Sequence, residues 1–288
     1  MSPLALALVL GSAALHATWN LFAKGAGGGT AGPAFVFSFS ALTALIYAPW
    51  AISQGGLRVP EAGLAALVAV LGSGLLHMGY FLSLQRGYRV GDLSLVYPLA
   101  RGGGPLLATL GAVAWLGERP SPWALAGTGL VVIATAVLAS SRTPAGERLA
   151  PGLVWGGITA VFIGSYTLWD ARAVAHVGVP PLLYLWWVEV ARTAMLAPLA
   201  FARRPDLAHV WCHHRGAVLA IAALSPLAYL MVLTAFTLAP VSLVAPMREV
   251  SVLIGAWMGV TLLRERGRGR RLVAAAAVVV GVALLARG

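Results

Sequence analysis

The chain has 288 residues, of which 59% are hydrophobic and only 10% charged, and its mean hydropathy is +0.85. Soluble globular domains carry about 25% charged residues, so this composition excludes a water-soluble fold. The formal net charge is +11. In so apolar a chain, we expect the surplus basic residues to lie in loops beside lipid headgroups, and we expect no nucleic-acid partner.

Apolar runs divide the whole chain. A helix needs roughly 20 apolar residues to cross a hydrocarbon core of about 30 Å, because no water is available there to pair backbone groups. Ten such runs predict an all-α integral membrane protein with ten transmembrane helices in a lipid bilayer. Their approximate bounds are 4–23, 32–53, 63–84, 93–116, 121–140, 151–171, 180–202, 216–238, 241–263 and 269–286.

An internal repeat relates the two halves of the chain. Three pairs of segments resemble one another: 94–101 and 242–248, 116–119 and 263–266, and 17–21 and 164–168. The repeat predicts two five-helix units, residues 1–145 and 146–288. Because five is odd, the second unit would enter the bilayer upside down relative to the first. Inverted repeats allow a site at the midplane to open to either side in turn, which favours a transporter.

These features resemble the EamA branch of the drug/metabolite transporter superfamily. The resemblance rests on the doubled five-helix unit, the proline in the fourth helix of each unit, and the Leu-Gly-Glu-Arg segment 116–119 that ends the first of these helices. It implies export or uptake of small metabolites, often amino acids or related compounds and commonly by proton exchange. The four-helix multidrug relatives carry an essential Glu in their first helix. Here that helix has no carboxylate, and its polar residues are His16, Thr18 and Asn20.

Ionisable residues inside apolar runs are functional candidates, because a charge at the bilayer centre costs at least about 2.5 kcal/mol. Arg101 and Arg248 are repeat equivalents, and both are predicted to lie near the midplane and to bind substrate. Their guanidinium groups match a carboxylate or phosphate, so we expect an anionic group on the substrate.

Three further charged residues have two interpretations. Glu189 and Arg192 are three residues apart on one helix face and either pair structurally or act directly on substrate. Glu249 is a possible partner of Arg101 or Arg192. A buried Glu189 or Glu249 is also a candidate proton acceptor for coupling, and His16 is a further coupling candidate.

Aromatic and amide side chains complete the predicted substrate site. Paired aromatic residues in corresponding helices can enclose an apolar or cationic part of a ligand, although anchoring at the membrane interface is an equal alternative. The candidates are Trp19, Tyr80, Tyr97, Tyr166, Tyr229 and Asn20. We further expect Gly102–Gly104 and Pro105 to loosen the first unit's fourth helix, whereas the corresponding helix of the second unit should be more regular.

No metal, cofactor or partner protein is predicted. His209, Cys212, His213 and His214 have zinc-binding chemistry, but their crowding is unlike standard ligand spacing, and a polar interfacial loop is the default interpretation. The chain is expected to act as a monomer or a homodimer in a cell membrane, plasma or inner.

The basic residues predict an orientation. Of the 20 Lys and Arg residues, 13 fall in loops opposite the termini and 4 on the termini side. Positively charged loops face the cytoplasm, so both termini are predicted to lie outside, whereas the family resemblance implies cytoplasmic termini.

The predicted function is secondary transport of a small metabolite, such as an amino acid or organic anion, by alternating access and possibly with proton coupling. No GxxxxGK[ST] motif is present, so ATP is not expected to drive transport directly. The alternative is an integral-membrane enzyme acting on a lipid or amphipathic substrate. Neither an HExxH motif nor a GxSxG motif supports catalysis, and no enzymatic activity is expected.

Overall fold

The computed structural model describes residues 1–25, 32–56, 63–90, 93–139, 149–254 and 268–287. Within these ranges the chain is helical apart from short turns, in agreement with the expected all-α class. The helices are α1 Pro3–Gly25, α2 Pro33–Ser53, α3 Gly63–Val90, α4 Leu93–Trp115, α5 Pro122–Ala139, α6 Leu149–Ala175, α7 Pro181–Phe201, α8 Arg204–His213, α9 Arg215–Phe236, α10 Val241–Met247 and α11 Arg268–Arg287.

Proline and glycine set several helix ends. Helices α1, α2, α5 and α7 begin with a proline, whose fixed φ suits the first helical position and whose missing N–H would be unpaired there anyway. Gly117 follows α4 with a φ of 69°, a left-handed conformation that costs glycine little. The Glu118 N–H then donates to the Ala112 carbonyl at 3.1 Å and closes the end of the helix.

The outer surface is apolar. Leu45 is 70% exposed, Leu64 75% and Val273 70%, as expected for side chains that face lipid. Four helical segments of the described chain are long and apolar enough to cross a membrane: Pro33–Ser53, Gly63–Gly87, Ala150–Ala175 and Arg215–Phe236. The total of ten transmembrane helices stays a prediction.

The predicted ninth run, 241–263, is not a regular helix. Helix α10 ends at Met247, residues 248–249 form a turn, and residues 250–254 are helical again, while the rest of the run lies outside the described residues. Pro246 lacks an N–H, and the turn tightens to bonds between residues three apart: Glu249 N–H donates to the Pro246 carbonyl at 3.1 Å. The expectation of a more regular helix in the second half is therefore wrong.

The glycine run of α4 does not loosen that helix, which is continuous through Gly102–Gly104 and Pro105. These glycines instead allow α6 to approach. A Cβ added at Gly103 would lie 2.9 Å from the Ala160 Cβ, and one at Gly104 would overlap the Ile163 side chain. The predicted opening of the helix is thus replaced by close helix packing.

Some helix contacts recur between the two halves of the chain. Helix α1 packs against α9 as α6 packs against α3, and α2 packs against α9 as α7 packs against α3. Helix α2 also packs against α7, and α5 against α11. At the α5–α11 crossing, a Cβ on Gly127 would lie 2.6 Å from the Gly281 carbonyl oxygen, so both glycines are needed for the close approach.

His209, Cys212 and His213 lie in helix α8, and His214 follows its end, where an interfacial loop was expected. His209 and His213 are four residues apart and stack with ring centroids 4.4 Å apart. Among the described residues, no group of three or more His, Cys, Asp and Glu side chains could hold a metal ion.

Candidate functional site

A cavity of about 90 Å³ lies among helices from both predicted units. Its lining comes from α1, α2, α3, α4, α6, α7 and α9, and from Arg248 just after α10. On this measure of volume one water molecule needs roughly 10–15 Å³, so the cavity has room for several waters.

Most predicted site residues meet at this cavity. Of the substrate-binding candidates, Arg101, Arg248, Trp19, Tyr80, Tyr166 and Tyr229 line it, and of the coupling candidates His16, Glu189 and Arg192 do so. The side chains of Asn20 and Tyr97 lie outside those that the structure describes. Glu249 contacts Arg101 but is not part of the lining.

Arg101 is held by residues of the turn after α10 and of the helical segment that follows it. Its Nη2 atom lies 3.4 Å from the Glu249 Oε1 atom and donates to the Ser251 hydroxyl at 3.0 Å. The Glu249 side chain is 3% exposed. Of the two partners considered for Glu249, Arg101 is the one that it contacts. The turn after α10 thus brings Arg101 a counter-charge from the other half of the chain.

Arg192 and Glu189 form a buried ion pair within α7. The Arg192 Nη2 atom donates to Glu189 Oε1 at 2.7 Å, and its Nε atom donates to the Ser40 hydroxyl at 2.8 Å. The guanidinium carbon also lies 5.4 and 5.5 Å from the ring centres of Phe39 and Phe81. This network occupies the donors on two sides of the guanidinium and favours the structural interpretation of the pair.

Arg248 is placed differently. Its guanidinium carbon lies 5.5 Å from the centre of the Tyr229 ring, and no carboxylate of the described residues lies within 4 Å of it. Trp19 adds a second available group, since its buried Nε1 has no hydrogen-bond partner among these residues. A cation and an N–H donor therefore face the cavity ready for an acceptor such as a carboxylate.

The structure adds Asp170 to the site, a residue that the sequence-based prediction does not include. Asp170 is fully buried on α6. Its Oδ1 accepts from the Tyr184 hydroxyl at 2.7 Å, and its Oδ2 accepts from the Tyr229 hydroxyl at 2.5 Å. The Nε2 atom of His77 lies 3.9 Å from the same Oδ2. Asp170 stands one residue before the end of the predicted run 151–171, but α6 continues to Ala175, which places the carboxylate inside the helix.

His77 is a second addition. Its ring stacks on Tyr166 with centroids 4.2 Å apart, and Ser73 lies one turn away on the same helix. The Nδ1 atom lies 3.0 Å from the Ser73 carbonyl oxygen. The signal that could have identified both residues is the one used for the arginines, an ionisable side chain within an apolar run.

Known proteins resemble part or all of this chain. Residues 150–287 match the model of the EamA-like transporter family, which confirms the resemblance found in the sequence. One solved structure, described only as a crystal structure of a protein, matches with a TM-score of 0.74 and 19% identity over 97% of this chain and 95% of that chain. At that identity the match supports the fold alone. The curated proteins gave no significant match.

Proposed function

We propose, from the membership of residues 150–287 in the EamA-like transporter family, that this multi-pass membrane protein is a secondary transporter of a small metabolite with an anionic group. Members of that family are generally membrane transporters of small molecules. The finer statement concerns this chain alone: the ligand's carboxylate or phosphate binds Arg248 in the central cavity. Alternating access of the two five-helix units carries it across the bilayer.

The observation that carries the proposal is the position of Arg248. It lines a cavity built from both predicted units, and it has no carboxylate partner within 4 Å among the described residues. A half-buried cation with no carboxylate in direct contact is costly, and an anionic ligand lowers that cost. Its guanidinium group can bind such a ligand through two parallel hydrogen bonds. Arg101 lines the same cavity but already has Glu249 and Ser251 as neighbours.

Alternating access is supported by the paired helix contacts. If α1–α5 correspond to α6, α7, α9, α10 and α11, the α1–α9 contact corresponds to α6–α3, and α2–α9 corresponds to α7–α3. The contacts α2–α7 and α5–α11 then lie between equivalent helices. Such pairing is expected of two related units around an approximate two-fold axis, and an exchange of their conformations would move the cavity opening from one side to the other.

Uptake by reconstituted vesicles tests the anion site. The panel contains labelled amino acids, organic acids and phosphorylated metabolites, and we expect at least one compound to enter without chemical change. Arg248→Ala should lower the kcat/KM of transport of that compound about tenfold or more, equivalent to roughly 1.4 kcal/mol.

The matched control is Arg172→Ala. Arg172 is exposed, and its guanidinium carbon lies 5.1 Å from the Trp115 ring centre, outside the cavity lining. This variant should transport like the wild type. Equal transport by wild type and Arg248→Ala would reject the anion site. Conversion of a compound into a product without its transport would favour the membrane-enzyme alternative.

A further inference from the structure

The proposed anion site does not account for Asp170, which is the most completely enclosed carboxylate near the cavity. Its side chain is 0% exposed, and its two oxygens each accept a tyrosine hydroxyl, from Tyr184 on α7 and Tyr229 on α9. A buried ionised carboxylate is tolerated only with such donors or with a counter-charge. Two neutral hydroxyl groups supply the donors and leave the charge itself to be balanced elsewhere.

The other groups around Asp170 come from each neighbouring element. From α3, Ser73 and His77 face it, and from the turn after α10 the positive charge of Arg248 reaches it. Around His77 lie the Tyr166 ring, the Tyr229 ring at 5.7 Å, and the more distant charges of Arg192 and Arg248. The Asp170–His77 pair is therefore surrounded by hydroxyl groups, aromatic rings and positive charge.

His77 and Asp170 face each other with no hydrogen atom between them. The His77 Nδ1 lies 3.0 Å from the Ser73 carbonyl oxygen, which can only accept, and 3.2 Å from the Ser73 hydroxyl. With the Ser73 hydroxyl directed to Asp170, a hydrogen on Nδ1 of the neutral ring satisfies the carbonyl. The opposite atom, Nε2, then has a lone pair, and it lies 3.9 Å from Asp170 Oδ2. Two acceptors thus face each other. A proton on Oδ2 would give the carboxyl group a donor for Nε2 after a small approach.

The balance of charges around the cavity determines when Asp170 binds a proton. The buried or half-buried ionisable groups near the cavity, among the described residues, include three guanidinium groups and three carboxylates. Arg101 contacts Glu249 and Arg192 contacts Glu189, which leaves Arg248 and Asp170 to balance one another through Tyr229. An anionic ligand on Arg248 would give the site one excess negative charge. Uptake of one proton removes that excess.

We propose that Asp170, facing His77, is a proton-binding site that takes up a proton when a ligand's anionic group binds Arg248. The inference rests on the proposed function. A proton from water binds Asp170 Oδ2, the carboxylate becomes a neutral carboxylic acid, and its O–H donates to His77 Nε2. Because the two binding events support each other, the proton and the anion cross the membrane together and in the same direction.

Infrared spectroscopy of the purified protein tests the proton site without any ligand. Between mildly alkaline and acidic buffers, the wild type should gain a carboxylic-acid C=O band that Asp170→Asn lacks. The exposed Asp206 gives the control variant Asp206→Asn, which should keep that band. Tyr229→Phe should move the band to higher frequency, because the carboxyl group loses a hydrogen bond. A band that survives in Asp170→Asn, or no such band in the wild type, would overturn the proposal.

Calorimetry with acetate as the probe tests the linkage. Measured in buffers of different ionisation enthalpy, the wild type and Asp206→Asn should take up about one proton per acetate bound. Asp170→Asn should bind acetate with no proton uptake. Acetate binding to the wild type without proton uptake would overturn this inference alone. Absence of acetate binding would overturn the linkage and the Arg248 site together, while the infrared band would still decide whether Asp170 binds a proton.

Discussion

Glu189 and Arg192 lie one turn apart on α7, where each neutralises the other out of contact with water. Arg192 is 5% exposed and Glu189 6%. Burying such a pair gains little net stability, but the removal of one partner leaves the other charge buried and alone. The pair therefore has a measurable signature that separates a structural role from a direct role in ligand binding.

Arg192→Met should lower the free energy of unfolding by about 3–5 kcal/mol, because Glu189 then has no counter-charge. The double variant Glu189→Gln/Arg192→Met should recover most of that loss, since no unpaired charge remains. Thermal or denaturant unfolding of the purified protein in detergent measures both. A double variant less stable than Arg192→Met would contradict the structural interpretation.

The charged residues of the site were predictable to different degrees. Arg101 and Arg248 could be identified because each recurs at the corresponding place of the other unit. Asp170 has no such counterpart: at the offset of 147 residues that relates Glu118 to Glu265, its equivalent is Ala23. The partners of the charges could not be predicted either. The contact of Arg101 with Glu249 depends on the turn after α10, which brings together residues far apart in the chain.

At the scale of elements, the Leu-Gly-Glu-Arg segment after α4 has a definite task. Gly117 ends the helix in a left-handed conformation and turns the chain. The Glu118 carboxylate then accepts the N–H groups of Val241 at 2.7 Å and Ser242 at 2.9 Å, at the first turn of α10. A carboxylate is favoured there, because helix N-termini carry unpaired donors and partial positive charge. The first unit thereby holds the short helix that precedes Arg248.

Glu118→Ala should destabilise the protein by about 0.5–2 kcal/mol, the usual cost of losing a helix N-cap. Because α10 leads directly to Arg248, we also expect weaker acetate binding. Glu118→Gln keeps an acceptor oxygen and should lose less stability and less acetate affinity. Unfolding in detergent measures the stability, and calorimetry measures the acetate binding. Unchanged stability in Glu118→Ala would show that the contact does not hold α10 in place.

The break in α10 shows where sequence patterns fail for an element. Pro98 and Pro246 occupy corresponding positions, yet α4 continues through Pro98 and α10 ends one residue after Pro246. The glycine run that suggested a break in α4 is used for packing against Ala160 and Ile163. Hydropathy and proline position locate the helices well. Whether a proline interrupts one depends on the neighbouring helices, which a linear pattern does not contain.

At the scale of the whole molecule, the basic loops predict the orientation. The predicted ten-helix topology puts thirteen of the 20 Lys and Arg residues on the side opposite the termini, so both termini should face away from the cytoplasm. A reporter that is active only in the cytoplasm, fused after Gly288, should remain inactive. A second reporter that is active only outside should give a signal. The reverse pattern would agree with the usual orientation implied by the family resemblance.

As proposed, the two predicted units around the cavity, with Arg248, should exchange one solute across the bilayer without altering it chemically. Exchange needs neither ATP nor an imposed ion gradient, because alternating access moves a bound ligand in both directions. A membrane enzyme that converts its substrate without transporting it would not show this exchange. Exchange therefore separates the proposed function from its alternative.

Counterflow in vesicles that contain only this protein is the most direct measurement. Vesicles loaded with an unlabelled compound of the panel should transiently accumulate its labelled form from outside. Arg172→Ala should behave like the wild type, and Arg248→Ala should show at least a tenfold lower rate, equivalent to about 1.4 kcal/mol or more. If no compound exchanges, or if Arg248→Ala exchanges as fast as the wild type, the account is contradicted.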